Sequence, residues 1–388
     1  MEEPERPLLP AYGRRSLAEL TPSLLAALGA PDEPNLLGIA PARRVCLLLV
    51  DGLGARQLTE YAADAPFLSS MIENEPITAG FPSSTPVSLA SLGTGAPPGA
   101  HGVLGISFEA GHGELLDALK WTTHRGGKPV DQRKALPPEQ VQPLQTALER
   151  AAAGGTEVRV VSSRDFEGSG LTRAALRGGT YRGVHALGDL AAELITALNT
   201  PGPGFCYGYH ADLDTLGHVY GPGSLPWRLQ LRTIDCVAAL VAEALPPDGL
   251  LVVTADHGMV TVPPDRRIDA DSEPVLRAGV RLLGGDARSR HVYARPGAAA
   301  DVLAAWRERL GERAWVRSRE QAVGEGWFGP VREPETLHRI GDVVVAMRGD
   351  AAVVRSRAEK LLASLIGQHG SLTAAEQEIP LLMLRGGG

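Results

Sequence analysis

A chain of 388 residues, 44% hydrophobic and 21% charged, has ample material for one large α/β domain carrying an insertion. Its formal net charge of −7 excludes a long nucleic acid as partner, since neutralising many backbone phosphates takes a basic surface, and 5% aromatic residues supply no stacking platform for single strands. A small anionic substrate remains compatible with that charge if bound metals provide the local positive field.

The N-terminus, MEEPERPLLPAYGRR, lacks the basic start and apolar stretch of a secretory signal, and no apolar run is long enough to span a membrane. A cytoplasmic protein without membrane contact is therefore expected. The oligomeric state has no sequence signature. Cys46, Cys206 and Cys236 are odd in number and far apart, which implies buried thiols rather than a disulfide framework or a CxxC metal site.

In chain order, residues 1–35 are rich in Pro and Leu and read as an N-terminal arm preceding a domain over 36–388. Short β-rich apolar runs then alternate with longer amphipathic segments, the pattern of an α/β sheet. The first strand, Val45–Val50, delivers Asp51 just past its carboxyl end, where open α/β sheets place ligands. Alone, an Asp there serves as readily as a helix cap. A helix is expected at Gly54–Ala63. The segment GFPSSTPVSLASLGTG (80–95) predicts a helix starting beside Thr85, with Pro86 in its first turn. A hydroxyl there faces free N–H groups and the positive end of the helix dipole, although an ordinary Ser/Thr cap has the same appearance.

Further helices are expected at Leu144–Ala153, Leu187–Leu198, Pro226–Ala244, Ala298–Leu310 and Ala358–Leu365, and further strands at Val158–Val161, Phe205–Tyr209, Leu250–Thr254 and Asp342–Met347. After Phe205–Tyr209 come Asp214 and His218, four residues apart and so on one face of a helical turn. A carboxylate and a neutral imidazole are ligands that suit zinc. Asp212 stands as a substitute for Asp214. After Leu250–Thr254, Asp256 and His257 are adjacent, and Gly258 permits a tight turn around whatever they bind. Residues 263–339 show weaker alternation and more charge, and read as a smaller lobe. Residues 162–173 look like an ordinary Gly/Ser loop. Near the end, His369 stands between Gln368 and Gly370, where, taken alone, a surface loop histidine is a more usual reading than a ligand. Together these motifs bring three carboxylates, three histidines and a hydroxyl, about the number that two tetrahedral cations need from a protein.

The ordered set VDGLG, FPSST…TG…HG, DLDTLGHVYGP, TADHGM and a late HG…P resembles the nucleotide pyrophosphatase/phosphodiesterase (type I phosphodiesterase) branch of the alkaline phosphatase superfamily. The matching runs extend from residue 45 to residue 381. The resemblance implies a central, mostly parallel sheet flanked by helices, with a smaller inserted lobe. It implies one divalent cation on Asp214, His218 and His369, and a second on Asp51, Asp256, His257 and Thr85, zinc being usual in such relatives. His291, in RHVYARPG, is a rival to His369, with a structural role the better fit. Thr85 becomes the nucleophile of a phosphodiester- or pyrophosphate-cleaving hydrolase that works through a phospho-threonine, with a small phosphate ester as substrate.

Where relatives that cleave nucleotide diesters carry Asn, three residues after the nucleophile, this chain has Ser88, a substrate-binding candidate with a shorter reach. His101 matches the family and is expected to fix a turn. A phosphonate hydrolase or a phosphomonoesterase would use the same metal set. A phosphoglycerate mutase relative would offer Ser as nucleophile and a large inserted domain, and neither is evident. A non-catalytic, metal-stabilised binding protein would be the reading if Thr85 were dispensable.

Overall fold

The computed structural model describes residues 6–111, 113–124 and 128–387. Two main sheets are built from β1 (Arg44–Val50), β2 (Glu157–Ser163), β3 (Thr180–Val184), β4 (Gly204–His210), β5 (Gly249–Thr254), β6 (Val280–Asp286), β7 (Ser289–Ala294), β8 (Ala314–Ser318), β9 (Val343–Met347) and β10 (Leu382–Arg385). The six-stranded central sheet has the order β10-β5-β1-β4-β2-β3, parallel throughout except for β10, which runs antiparallel to β5 at one edge. Its inner strands are continuous apolar runs because both faces are covered: every residue from Val45 to Val50 is buried, as is all of β5. The expected strands at 45–50, 158–161, 205–209 and 250–254 all form, each extended by a residue or more.

Helices α1 (Thr85–Thr94), α2 (Leu187–Leu198), α3 (Asp212–Tyr220), α4 (Leu225–Glu243) and α5 (Ala299–Leu310) lie close to the expected positions. The expected helices at 144–153 and 358–365 are shorter, as Ala147–Ala153 and Lys360–Ser364. Thr146 sets the first boundary by closing a capping box with Glu149, so Leu144 and Gln145 stay outside the helix. Cys46 and Cys206 face each other across β1 and β4 and are buried. Cys236 is exposed, contrary to expectation, because it falls outside the α4 stripe that buries Trp227, Leu231, Ile234 and Ala238.

The smaller lobe is a four-stranded antiparallel sheet, order β6-β7-β9-β8, with a core of its own in which Trp306 of α5 packs with Val292, Val343 and Val345. The Asp342–Met347 run is one of its strands, so the lobe extends past residue 339 and β10 closes the central sheet. In the N-terminal segment, Leu17, Leu20, Leu24 and Leu25 are fully buried in the main core. Among the described residues no helix is long and apolar enough to cross a membrane.

Two buried ion pairs lie at the start of β7, one from Arg288 just before the strand and one from Arg290 within it. Arg288 pairs with Glu376 at 2.8 Å, and Arg290 with Glu359 at 2.9 Å. Burying four charges is tolerable only when each is paired and hydrogen-bonded. Arg290 also donates to the Val353 carbonyl, and Arg288 to that of Ala351. His124 stands 3.1 Å from Glu359 and 3.8 Å from Asp117. Burial alone would lower its pKa, but the hydrogen bonds and charges of Asp117 and Glu359 raise it to about 9. Arg290 and Arg355 share the Glu359 carboxylate. A histidine raised in the fold contributes stability in full below its unfolded pKa of roughly 6.5, and loses it as the pH rises through about 9. His124→Gln should therefore lower the unfolding midpoint clearly at pH 6 and much less at pH 10; an equal loss at both, in thermal melts of both proteins, would remove the charge of His124 from the account.

Candidate active site

Strands β1, β4 and β5 are neighbours, so the segments leaving their carboxyl ends emerge side by side. They deliver Asp51, then Asp214 and His218 on α3, then Asp256 and His257. Gly52 lets the first turn close, because it adopts φ +75° and a Cβ there would lie 3.0 Å from the Cβ of Asp214. Its N–H and that of His257 both donate to Asp256 Oδ1, at 3.0 Å each.

Thr85 opens α1 and joins this cluster. Its hydroxyl lies 3.3 Å from His257 Nε2 and 3.5 Å from Asp51 Oδ2. His369 arrives from the last loop and stacks on His257, ring centroids 3.6 Å apart. His218 Nε2 lies 3.3 Å from Asp214 Oδ2. The structure thus brings all seven candidate ligands to one place. Two compact groups stand out: Asp51, Asp256 and His257, and Asp214, His257 and His369. His257 occurs in both, whereas His218 reaches the second through Asp214.

The three imidazoles share one arrangement. His218 Nδ1 faces the Gly367 carbonyl at 2.7 Å, His257 Nδ1 that of Gly258 at 3.1 Å, and His369 Nδ1 that of Ser83 at 2.8 Å. A carbonyl oxygen only accepts, so each Nδ1 carries the proton and each Nε2 offers its lone pair to the site. Burial holds His257 neutral, with its pKa lowered to about 3, and lowers that of His369 well below the usual value.

The carboxylates show the opposite strain. Burial, together with the charges of Asp256 and Asp214, raises Asp51 well above the carboxylate range; burial likewise raises Asp256, and Asp214 to about 6. Asp51 Oδ1, Asp214 Oδ1 and Asp256 Oδ2 are buried and have no hydrogen-bond donor among the described residues. Three buried carboxylate oxygens without donors converge with three imidazole Nε2 atoms, a set of oxygen and nitrogen ligands that fits divalent cations.

Several supporting residues were not legible in the sequence. Tyr209 donates its phenol to Asp51 Oδ2. The alternation in YGYH places Tyr207 and Tyr209 on one face of β4, a signal that points toward the site. Asp286, at the end of β6 in the lobe, accepts the Ser84 hydroxyl at 3.1 Å. Ser84 holds the N-cap position of α1, and its carbonyl accepts the Ser88 N–H, yet its side chain makes no bond to the helix, which leaves the N-terminal amides of α1 without a side-chain cap. The nucleophile loop and the His369 loop are stitched together, Ser83 N–H donating to the Gly370 carbonyl and Ser83 Oγ to that of Ser371. Gly370 itself, at φ +127°, has no room for a Cβ beside Asp286.

Other candidates sit elsewhere. The Ser88 hydroxyl turns inward to the Asp256 carbonyl, at 2.7 Å, so it braces the β5 terminus instead of facing the site. Both nitrogens of His291 are occupied by backbone, at the Leu104 carbonyl and the Gly341 N–H. His101 accepts the Val103 N–H and so fixes the turn after α1. Asp212 is exposed and faces His210. Residues 162–173 are not the expected loop: they run from the end of β2 through a 3-10 turn, Arg164–Phe166, into a helix at Gly170–Ala175, and Ser162, Phe166, Ser169 and Leu171 line a cavity of about 320 Å³ beside Thr85.

The family model for type I phosphodiesterase/nucleotide pyrophosphatase matches residues 45–372. Among solved structures, murine ectonucleotide pyrophosphatase/phosphodiesterase 5 superposes with a TM-score of 0.63 at 16% identity, covering 87% of each chain. The human protein of that name gives 0.63 at 17% identity and the same coverage. An inactive variant of the murine protein, in complex with AMP, gives 0.65 at 16% identity over 88% of this chain and 87% of that one. Among curated proteins none matches the sequence significantly. With a family match over most of its length, on a fold of that kind, this chain belongs to the type I phosphodiesterase/nucleotide pyrophosphatase family of the alkaline phosphatase superfamily.

Proposed function

We propose that this hydrolase cleaves phosphodiester or pyrophosphate bonds of small phosphate esters by double displacement at Thr85. Asp214, His218 and His369 hold one divalent cation; Asp51, Asp256, His257 and Thr85 hold the other. The carrying observation is the convergence of three donorless buried carboxylate oxygens and three Nε2 lone pairs on one hydroxyl. Two bound cations, zinc the expected species, would supply acidity to that hydroxyl and positive charge against the phosphoryl oxygens.

The chain's own groups do the rest. Thr85 Oγ1 attacks phosphorus, and the bond to the leaving alcohol breaks on the opposite side. Water then cleaves the phospho-threonine and restores the hydroxyl. The amides at the start of α1 point at the phosphoryl group, where a helix N-terminus favours an anion. Tyr209 holds Asp51 in register. The AMP bound to the murine relative supports a small phosphate ester as ligand.

A diester is the better substrate on this reading. A monoester brings a second negative charge, which sites commonly meet with Arg or Lys. Between Arg56 and Lys120 the chain contains neither. Arg173 is paired with Glu139 at 2.8 Å, and Arg164 contacts His185 at 3.2 Å. Lys120 alone of these three lines the cavity beside Thr85. With metal-loaded protein, kcat/KM for bis-p-nitrophenyl phosphate should exceed that for p-nitrophenyl phosphate by roughly tenfold or more. A clear monoester preference, abolished in Lys120→Ala, would reject the diesterase assignment.

A further inference from the structure

The cavity beside Thr85 has a lining that the metal chemistry does not require. Its volume of about 320 Å³ is at the small end of the roughly 300–1,000 Å³ range of ligand pockets. Four leucines line it, Leu89 of α1, Leu119, Leu171 and Leu176, together with Phe166 and Tyr209, while Lys120, Ser162, Ser169, Thr172 and Thr215 add polar groups. At 1% exposure, Tyr207 on β4 also lines the cavity, and its phenol oxygen is buried with no hydrogen-bond partner among the described residues. A buried hydroxyl without a partner is costly unless something arriving in the cavity meets it. A phenol carries its proton at neutral pH and so can donate.

We infer that this cavity receives a compact apolar ester group, aryl or branched alkyl, bearing one hydrogen-bond acceptor that meets the Tyr207 hydroxyl. The assignment rests on the phosphodiesterase reading above and sharpens it to a substrate class. A nucleoside is the obvious competitor, and two features disfavour it. The rings of Phe166 and Tyr209 are inclined at 66°, so one flat base cannot lie against both. A nucleoside also spreads polar groups over its base edge and ribose, and the stretch of wall built by Leu89, Leu119, Leu171 and Leu176 offers no side-chain partner to any of them. In-line displacement sends the leaving oxygen away from Thr85, whereas the cavity is walled by Thr85 and by Leu89 on the same helix. The group it holds is therefore the one retained on phosphorus.

Diesters with a constant p-nitrophenolate leaving group and a varied retained group test this directly. The series is methyl, phenyl, 4-acetylphenyl and thymidin-5′-yl. Wild-type kcat/KM should rank 4-acetylphenyl first, roughly tenfold above phenyl, with phenyl above both methyl and thymidinyl. Tyr207→Phe removes only a hydroxyl that has no partner in the fold, so the variant should fold normally. In it the 4-acetylphenyl-to-phenyl ratio should collapse to about one. Preference for the thymidinyl ester, or a ratio unchanged by Tyr207→Phe, overturns the assignment. Calorimetric binding of 4-acetylphenyl phosphate and phenyl phosphate to metal-loaded Thr85→Ala separates the two layers of the argument. Tyr207-dependent discrimination in binding without turnover of any diester would sink the hydrolase reading and leave the pocket assignment standing. Turnover without such discrimination would do the reverse.

Discussion

Thr85→Ala is expected to lower kcat by a factor on the order of 10⁴ or more while leaving most of the metal bound. The size follows from the role: removing the attacking atom removes the covalent route entirely, and only slow direct attack by water remains. Metal retention follows from the ligand set, since Asp51, Asp256 and His257 remain around the same point when the hydroxyl is gone. Thr85 is buried at the start of α1, and a smaller side chain there leaves the loop contacts of Ser83 and Ser84 intact. Steady-state rates and metal content on the same sample check both halves. A near-normal rate in the variant would mean that water attacks phosphorus directly.

The second large effect concerns the ligands. Wild-type protein should bind about two equivalents of divalent metal. Asp256→Ala and His369→Ala should each lower both occupancy and activity. Changes to residues that merely orient metal ligands already cost about 10–100-fold, so loss of a ligand should cost on the order of 10²-fold or more. His291→Ala is the contrasting case. It strands the Leu104 carbonyl and the Gly341 N–H, a stability loss of about 1–3 kcal/mol, with the metal content unchanged. Metal analysis of the three variants after dialysis decides the matter. If His291→Ala loses a metal and His369→Ala keeps both, the third ligand of the first cation has been misassigned.

The site was legible in the sequence wherever a strand end supplied a residue in a fixed direction. Asp51, Asp256 and His257 follow buried apolar runs directly, and Asp214 and His218 follow one within a single helical turn, so local spacing sufficed to gather them. His369 was legible only through its HG…P context, because its position depends on Ser83 and Gly367–Gly370, segments remote from one another in the chain. The Asp286–Ser84 contact had no local signal at all, since the lobe reaches the nucleophile loop across 202 residues of sequence. Ser88 shows the converse: its type and spacing suited a phosphoryl contact, but the helix turns its hydroxyl toward the Asp256 carbonyl. The DVVVAM run was correctly a strand and yet joined the lobe, because an apolar strand does not encode which of two sheets it will pair with. The Gly/Ser character of residues 162–173 concealed Phe166 and Leu171, whose apolar surfaces face the cavity beside Thr85.

The covalent route through Thr85 is tested most directly by the stereochemical course at phosphorus. A diester made chiral with sulfur and isotopic oxygen, hydrolysed by metal-loaded protein in labelled water, reports the number of in-line displacements. Two displacements, first by Thr85 and then by water, give net retention of configuration. Net inversion would mean a single displacement by water and would contradict the account.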